Sequence, residues 1–293
     1  MTGYLAAQGF TEELVAELDN VTAVHGRLVF TEGPPRPAAW AANVWLEPIC
    51  LSISSIADAA RKLRAIQRDW ALYSFHFHRR AQLIAAQLPS VAVKPSAFPA
   101  LPPSRNIGSW TLLDEQTVLA SARCSSPWPN GEIVFIEDRD GPPSRAYLKL
   151  WELFSRLQVW PKVGERCVDL GASPGGWTWA LQKLGVSVLA VDKAPLASRV
   201  ASLAGVEFRS ESAFGLRPES VDWLFSDVIC YPPRLLGLVQ RWLPVAKNMV
   251  CTIKFQGKTD PAVLREFAAI PGSHLVHLHH NRHELTWYRL AQR

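Results

Sequence analysis

Beyond about residue 146 the chain alternates short apolar runs with stretches of helical period. The runs are RCVDL (166–170), VSVLAVD (186–192), VEFRS (206–210), DWLFSD (222–227) and NMVCTIK (248–254). Ahead of the first, Leu150, Leu153, Phe154 and Leu157 fall on one face of a helix predicted at about 147–157. Strands alternating with helices predict right-handed βα units and a mostly parallel, doubly wound α/β sheet. Near the end, HLVHLHH and ELTWYRL flank the short segment NRH, which reads as an antiparallel hairpin closing that sheet. Ligands of such sheets bind beyond the carboxyl ends of the strands.

The first half has a different rhythm. GYLAAQGFTEELVAEL reads as strand, turn and helix, VTAVHGRLVF as a strand, and SISSIADAARKLRAIQRDW as a longer helix. EQTVLASARC and GEIVFIED read as two further strands, giving an α+β region. Two proline-rich breaks, 89–105 and 137–145, read as connectors, because proline fixes its own φ and restricts its predecessor. The second is taken as the domain boundary, which separates residues 1–141 from 142–293. No fixed-period repeat is present.

Composition narrows the class without naming it. At 293 residues, 48% hydrophobic and 19% charged, the chain can bury two cores and is not a disordered protein. No apolar run approaches the roughly 18 residues a membrane-crossing helix needs, and Glu12, Glu13, Glu17 and Asp19 interrupt the start. A soluble protein without a secretory signal is expected. The five cysteines (Cys50, Cys124, Cys167, Cys230, Cys251) are scattered without a CxxC pair, so neither a disulfide framework nor a structural zinc site is expected, and a cytoplasmic setting fits. Charge is uneven: residues 1–145 carry 13 Lys and Arg against 14 Asp and Glu, whereas 146–293 carry 18 against 12. Within the first half, 61–80 concentrates six basic residues against Asp69, with His76, His78 and aromatics interleaved. Such a face suits a polyanion with unpaired bases, or is a solvated helix.

The stretch DLGASPGGW (169–177) joins the first strand of the sheet to a helix. Gly171, Gly175 and Gly176 permit a tight turn and close approach of a ligand, but their spacing is not GxGxxG, so a dinucleotide pyrophosphate is disfavoured. Asp192, ending the second strand, can accept from ribose hydroxyls. A ribose-bearing ligand without a phosphate chain remains, and S-adenosylmethionine (SAM) is such a ligand.

DLGASPGGW resembles the first motif of the FtsJ-like RNA ribose 2'-O-methyltransferases. The resemblance extends to that family's Lys-Asp-Lys-Glu tetrad. SRAYLKLWE supplies Lys149, SDV supplies Asp227, CTIK supplies Lys254 and RHELTW supplies Glu284, in the family's order. It implies a Rossmann-like SAM-dependent methyltransferase sheet, with Asp169, Gly171, Ser173, Pro174, Gly175, Gly176, Trp177, Asp192 and Asp227 at the cofactor. The SRxxxKL entry, the RxELT ending and a separate N-terminal region resemble the RlmM-type branch. That branch modifies a cytidine ribose of large-subunit ribosomal RNA and carries a THUMP-type RNA-binding region. Two departures stand out: the N-terminal region is shorter than the family's, and Ser212 sits where an acidic residue contacts adenine, with Glu211 beside it as the substitute.

For ribose methylation the protein must align a hydroxyl with the methyl donor and assist loss of its proton. The resemblance assigns Lys254 to that hydroxyl. On that reading Asp227 is expected to hold Lys254 or approach the donor, and Lys149 with Glu284 to position the ribose. Two other readings stay open. Cys230 or Cys251 could serve as the nucleophile of a cytosine C5 RNA methyltransferase, although neither has the expected neighbours. The chain could also bind SAM and RNA without turnover. His274, His277, His279, His280 and His283 cluster near the end without acidic or cysteine partners, so no metal is expected. The oligomeric state is not legible.

Overall fold

The first 135 residues build two four-stranded sheets. β1 (Thr2–Ala6), α1 (Thr11–Glu17), β2 (Val21–His25), β3 (Leu28–Thr31) and β4 (Ala41–Trp45) form the first, an antiparallel sheet of order β2-β3-β1-β4. β5 (Ile49–Ser52), α2 (Ile56–Ile66), β6 (Trp70–Leu72), α3 (His78–Ala85), β7 (Gly108–Asp114) and β8 (Thr117–Ser121) form the second, of order β5-β8-β7-β6. Helices α2 and α3 cover it through Ala59, Ala60, Leu63, Ala81 and Ile84, which pack with Trp70, Trp110, Leu112 and Val118. The computed structural model describes residues 1–91 and 94–291, so residues 92 and 93 of the proline-rich stretch 89–105 and the last two of the segment 142–293 lie outside the described residues.

Several sequence expectations for this half need correction. VTAVHGRLVF is two strands, because Gly26 turns the chain with φ +60 and a Cβ there would lie 2.5 Å from the Tyr73 hydroxyl. The helix expected across SISSIADAARKLRAIQRDW is shorter, since Ser55 caps it by accepting from the Asp58 N–H at 3.1 Å and the residues on either side belong to β5 and β6. Among the described residues GEIVFIED makes one isolated bridge, Ser96 to Phe135; its alternation is spent on burying Ile133 and Phe135. Strands β4, β5, β6 and β7 and helix α3 carry no signal strong enough to have been read.

Residues 136–293 form the second unit. Its elements are α4 (Tyr147–Leu157), β9 (Arg166–Leu170), α5 (Gly176–Gln182), β10 (Ser187–Asp192), α6 (Ser198–Ala201), β11 (Val206–Ser210), β12 (Val221–Ser226), α7 (Pro232–Trp242), β13 (Ala246–Lys254), α8 (Pro261–Ala268), β14 (Ser273–Val276) and β15 (Glu284–Arg289). They make one seven-stranded sheet, β11-β10-β9-β12-β13-β15-β14, parallel except for β15, which runs antiparallel to both its neighbours. The central strands are buried along most of their length because both faces are covered. Strand order reverses between β9 and β12, and a crevice opens there at the carboxyl ends. β14 and β15 are joined by residues 277–283, a longer connection than an NRH turn, and HLVHLHH is strand only as far as Val276. Within that connection Leu278 is buried, and Asn281 donates to the Thr286 hydroxyl at 3.1 Å. Among the described residues no helix is long and apolar enough to cross a membrane.

Helix α4 is buried on more sides than its apolar stripe implies. Lys149 and Glu152 are interior, and the Glu152 carboxylate is fully buried. It accepts from Arg156 Nε at 2.9 Å and from the His279 backbone N–H at 2.8 Å, which fastens the helix to the connection leading into β15. Replacing a buried, multiply bonded carboxylate withdraws an acceptor from groups already removed from water. Glu152→Ala is expected to destabilise the fold by about 3 kcal/mol in urea unfolding, with Glu152→Gln losing distinctly less.

Candidate active site

Four charged side chains from different elements converge at the carboxyl end of the sheet. Asp227 directly follows β12, Lys254 ends β13, Glu284 begins β15 and Lys149 lies in the first turn of α4. The β13–β15 register sets Lys254 opposite Glu284. Lys149 Nζ lies 2.6 Å from Glu284 Oε1 and 3.3 Å from Asp227 Oδ1, while Lys254 Nζ lies 3.0 Å from Asp227 Oδ1. Lys254 also donates to the Asp227 backbone carbonyl at 2.5 Å. Charges thus alternate along the row Lys254, Asp227, Lys149, Glu284, and the row is neutral as a whole. Side-chain exposure rises from 9% at Glu284 to 19% at Lys254, so Lys254 is the more accessible lysine.

Beside this row lies a cleft of about 360 Å³ formed by the loop 171–177. Gly171 has φ +78, and a Cβ on it would come within 2.6 Å of Val228 Cα. Gly175 has φ +113 at the start of α5, and a Cβ on Gly176 would meet the Ser144 hydroxyl at 2.5 Å. The Asp192 carboxylate accepts from the Ser173 and Ala194 N–H groups, each at 3.0 Å, and the Ser173 hydroxyl donates to the Pro195 carbonyl at 2.9 Å. Trp177 donates from Nε1 to the Ala146 carbonyl at 2.9 Å and packs edge-on against Phe225, joining α5 to the start of α4. The lining also includes Asp169, Pro174, Asp227 and Lys254.

The structure separates the sequence-chosen residues into two groups. Asp169, Gly171, Ser173, Pro174, Gly176, Trp177, Asp192 and Asp227 border the cleft, with Gly175 in its loop. Glu211 and Ser212 do not line it; Ser212 instead caps a turn, accepting from the Phe214 N–H at 3.3 Å. Ser144, Ala146, Val228 and Ile229 border the cleft and were missed. Ser144 and Ala146 carried a signal, because they sit in the same SRAYLKLWE stretch as Lys149.

The cysteines are not presented as nucleophiles. Cys251 is fully buried in mid-strand and Cys230 is 7% exposed; burial raises both thiols and so disfavours the thiolate. His277 is held down to about 4 by burial and its Nε2 lies 3.0 Å from the Arg282 carbonyl, an interior residue of the 277–283 connection.

Asp169 is a strongly shifted acid of the cleft. Burial raises its carboxyl from 3.8 to about 7; the nearby Asp227 and Asp192 charges add to the rise, and the Thr178 hydroxyl, donating at 2.7 Å, opposes it. Its other oxygen, Oδ1, is buried and has no hydrogen-bond partner among the described residues. The cradle of glycines and this unsatisfied acceptor fit a polar ligand with hydrogen-bond donors of its own. Folded Asp169 keeps its proton where the unfolded chain has lost it, so stability falls as pH rises from about 4 to about 7 and levels above that window, by at most about 1.4 kcal/mol per pH unit. Asp169→Asn is expected to flatten that segment of the stability profile, measured by denaturant unfolding at a series of pH values.

Residues 142–249 match the family model of the FtsJ-like methyltransferases. The "Ribosomal RNA large subunit methyltransferase M" of Halorhodospira halophila is 37% identical over 179 residues, which is 57% of this chain and 52% of that protein. The protein of the same name from Alkalilimnicola ehrlichii is 40% identical over 132 residues, 43% of this chain and 36% of that protein. The chain thus matches about half the length, or less, of these curated relatives. Among solved structures, a ribosomal RNA methyltransferase, putative, from Plasmodium falciparum superposes with a TM-score of 0.40 at 15% identity, covering 50% of this chain and 97% of that one. The segment matched by the FtsJ-like methyltransferase family model, residues 142–249, holds the glycine loop, Lys149 and Asp227.

Proposed function

We propose that this protein transfers the methyl group of SAM to a ribose 2'-hydroxyl of RNA, with a cytidine of large-subunit ribosomal RNA as the target. The observation that carries the reading is the alternating row of Lys254, Asp227, Lys149 and Glu284 at the edge of the glycine-lined cleft. The cytidine and the large subunit rest on the names of the relatives and on the RlmM-type resemblance. Residues 142–293 are the catalytic part, in a cytoplasmic setting. Residues 1–141 are proposed to be a THUMP-like RNA-binding region, supported by the exposed Arg61, Arg64, Arg68 and Arg79 on and beside α2 and α3.

The cofactor would be held by the loop 171–177 and by Asp169 and Asp192, with Glu211 or Ser212 proposed at its adenine, although neither borders the cleft. SAM supplies a methyl group already activated by its sulfonium. The chain's own work is therefore alignment and charge stabilisation. Lys254 is the accessible cation of the row, and it orients the hydroxyl and stabilises the negative charge that grows on oxygen as the C–O bond forms and the hydroxyl proton passes to bulk water. Asp227 fixes Lys254 through both its carboxylate and its carbonyl. Lys149 and Glu284, paired at 2.6 Å, form the inner wall against which the ribose is positioned.

Two tests follow. Labelled methyl transfer from SAM to ribosomal RNA lacking the modification should yield a 2'-O-methyl nucleoside, and Lys254→Ala should lower kcat/KM by about 10²- to 10⁴-fold while SAM binding persists. Label on a base carbon that depends on Cys230 or Cys251 would overturn the ribose assignment. For the N-terminal region, RNA affinity should fall steeply with salt. Joint replacement of Arg61, Arg64, Arg68 and Arg79 by alanine should flatten the slope of log K against log salt by about 0.7 per lost phosphate contact; an unchanged slope would remove this surface from the RNA path.

A further inference from the structure

The segment between β12 and α7 leaves Asp227 and presents two large apolar side chains to solvent. Ile229 is 78% exposed and Tyr231 65%, whereas Cys230 between them is 7% exposed. Single exposed apolar residues are ordinary on a protein surface. Two so near each other, at the carboxyl edge of a parallel sheet and within four residues of Asp227, stand where such sheets receive their ligands. Ile229 borders the cleft, and Tyr231 does not, so Tyr231 lies outside the cavity that the cofactor would fill.

The backbone holding Tyr231 is fixed before any ligand arrives. Its φ of −66 and ψ of 144 are the extended values that a residue ahead of proline is confined to, and Pro232 and Pro233 start α7. The Tyr231 carbonyl accepts from the N–H groups of Arg234 at 3.0 Å and Leu235 at 3.2 Å. One turn on, the exposed Arg234 guanidinium lies 3.8 Å from the centre of the Phe214 ring, which holds that cation in place. An aromatic face on a rigid backbone, with a positioned cation three residues away, matches a flat base joined to a phosphate.

We propose that Tyr231 is the platform on which the unpaired target base of the RNA strand stacks, with Arg234 beside it for the adjoining phosphate; this rests on the ribose-methylation reading. Stacking on Tyr231 is available only to a base free of a duplex, so the site selects single-stranded RNA. Tyr231 is a positioning residue: it holds the base so that its ribose meets Lys254.

The test uses the full chain and an unstructured oligoribonucleotide of roughly 12 nucleotides carrying 2-aminopurine at each position in turn. Stacking should quench the probe at one position in the wild type, in Tyr231→Phe and in Tyr231→Trp. Tyr231→Ala should lose the quenching and bind the RNA about tenfold more weakly, with SAM affinity unchanged. The same strand in a duplex should not be quenched. Equal quenching by wild type and Tyr231→Ala, or no quenching by the wild type at any position, would overturn the platform. The underlying reaction is read separately: no methyl transfer to RNA alongside Tyr231-dependent quenching would sink the ribose reading and leave the base site intact.

Discussion

A lysine ammonium withdrawn from water must be met by opposite charge, and Lys149 is met twice. With only 10% of its side chain exposed, it sits between Glu284 and Asp227. Those carboxylates come from β15 and from the end of β12, on opposite sides of β13 in the sheet. The pairing therefore makes α4, β12 and β15 mutually dependent. Buried ion pairs contribute little net stability, because desolvation offsets most of the attraction, but they penalise any arrangement that separates the partners. The antiparallel β15 has its purpose here: only a strand entering against the direction of β13 brings its first residue, Glu284, level with the last residue of β13, Lys254.

The same economy explains how one row of charges can hold two lysines in different states of solvation. Asp227 is shared, at 3.3 Å from Lys149 and 3.0 Å from Lys254, whereas Glu284 is committed to Lys149. Lys149 is saturated and inward. Lys254 has one carboxylate, a backbone carbonyl and an open side facing the cleft region, so it retains donor capacity for a hydroxyl. The four residues are chemically paired but functionally unequal, and the inequality follows from burial.

Much of the second unit was legible because its signals are redundant. Parallel strands buried on both faces give unbroken apolar runs, and the tetrad residues fall at strand or helix ends where sequence marks a boundary. The first unit was less legible because its strands are short and its turns depend on contacts across the sheets; Gly26 ends a strand because Tyr73 stands against it, and Tyr73 is 47 residues away. Glu152 was invisible for a related reason. On a helical wheel it falls outside the apolar stripe of α4; its pairing with Arg156 one turn on is the spacing of a solvated helix face, and its other partner is a backbone N–H at position 279, which no pattern of side chains announces. Ser212 shows a local use that the motif order does not announce: its hydroxyl accepts from the Phe214 N–H within a turn.

The two loops that flank the switch point between β9 and β12 are mechanically one. The Asp227 N–H donates to the Leu170 carbonyl at 3.2 Å, so the residue that ends β9 sets the height of the shared carboxylate. One residue on, Gly171 packs against Val228 so closely that no Cβ could be accommodated. A side chain at 171 would face strain from φ +78 and a collision with backbone, and the displacement would pass along the chain from Val228 to Ile229 and Tyr231. The glycine of the cofactor loop is therefore also a constraint on the other loop, the one that carries Asp227 and Tyr231. Its invisible contact, a missing Cβ, ties the position of the cleft to the position of the lysine row, and by extension to whatever is laid against Tyr231.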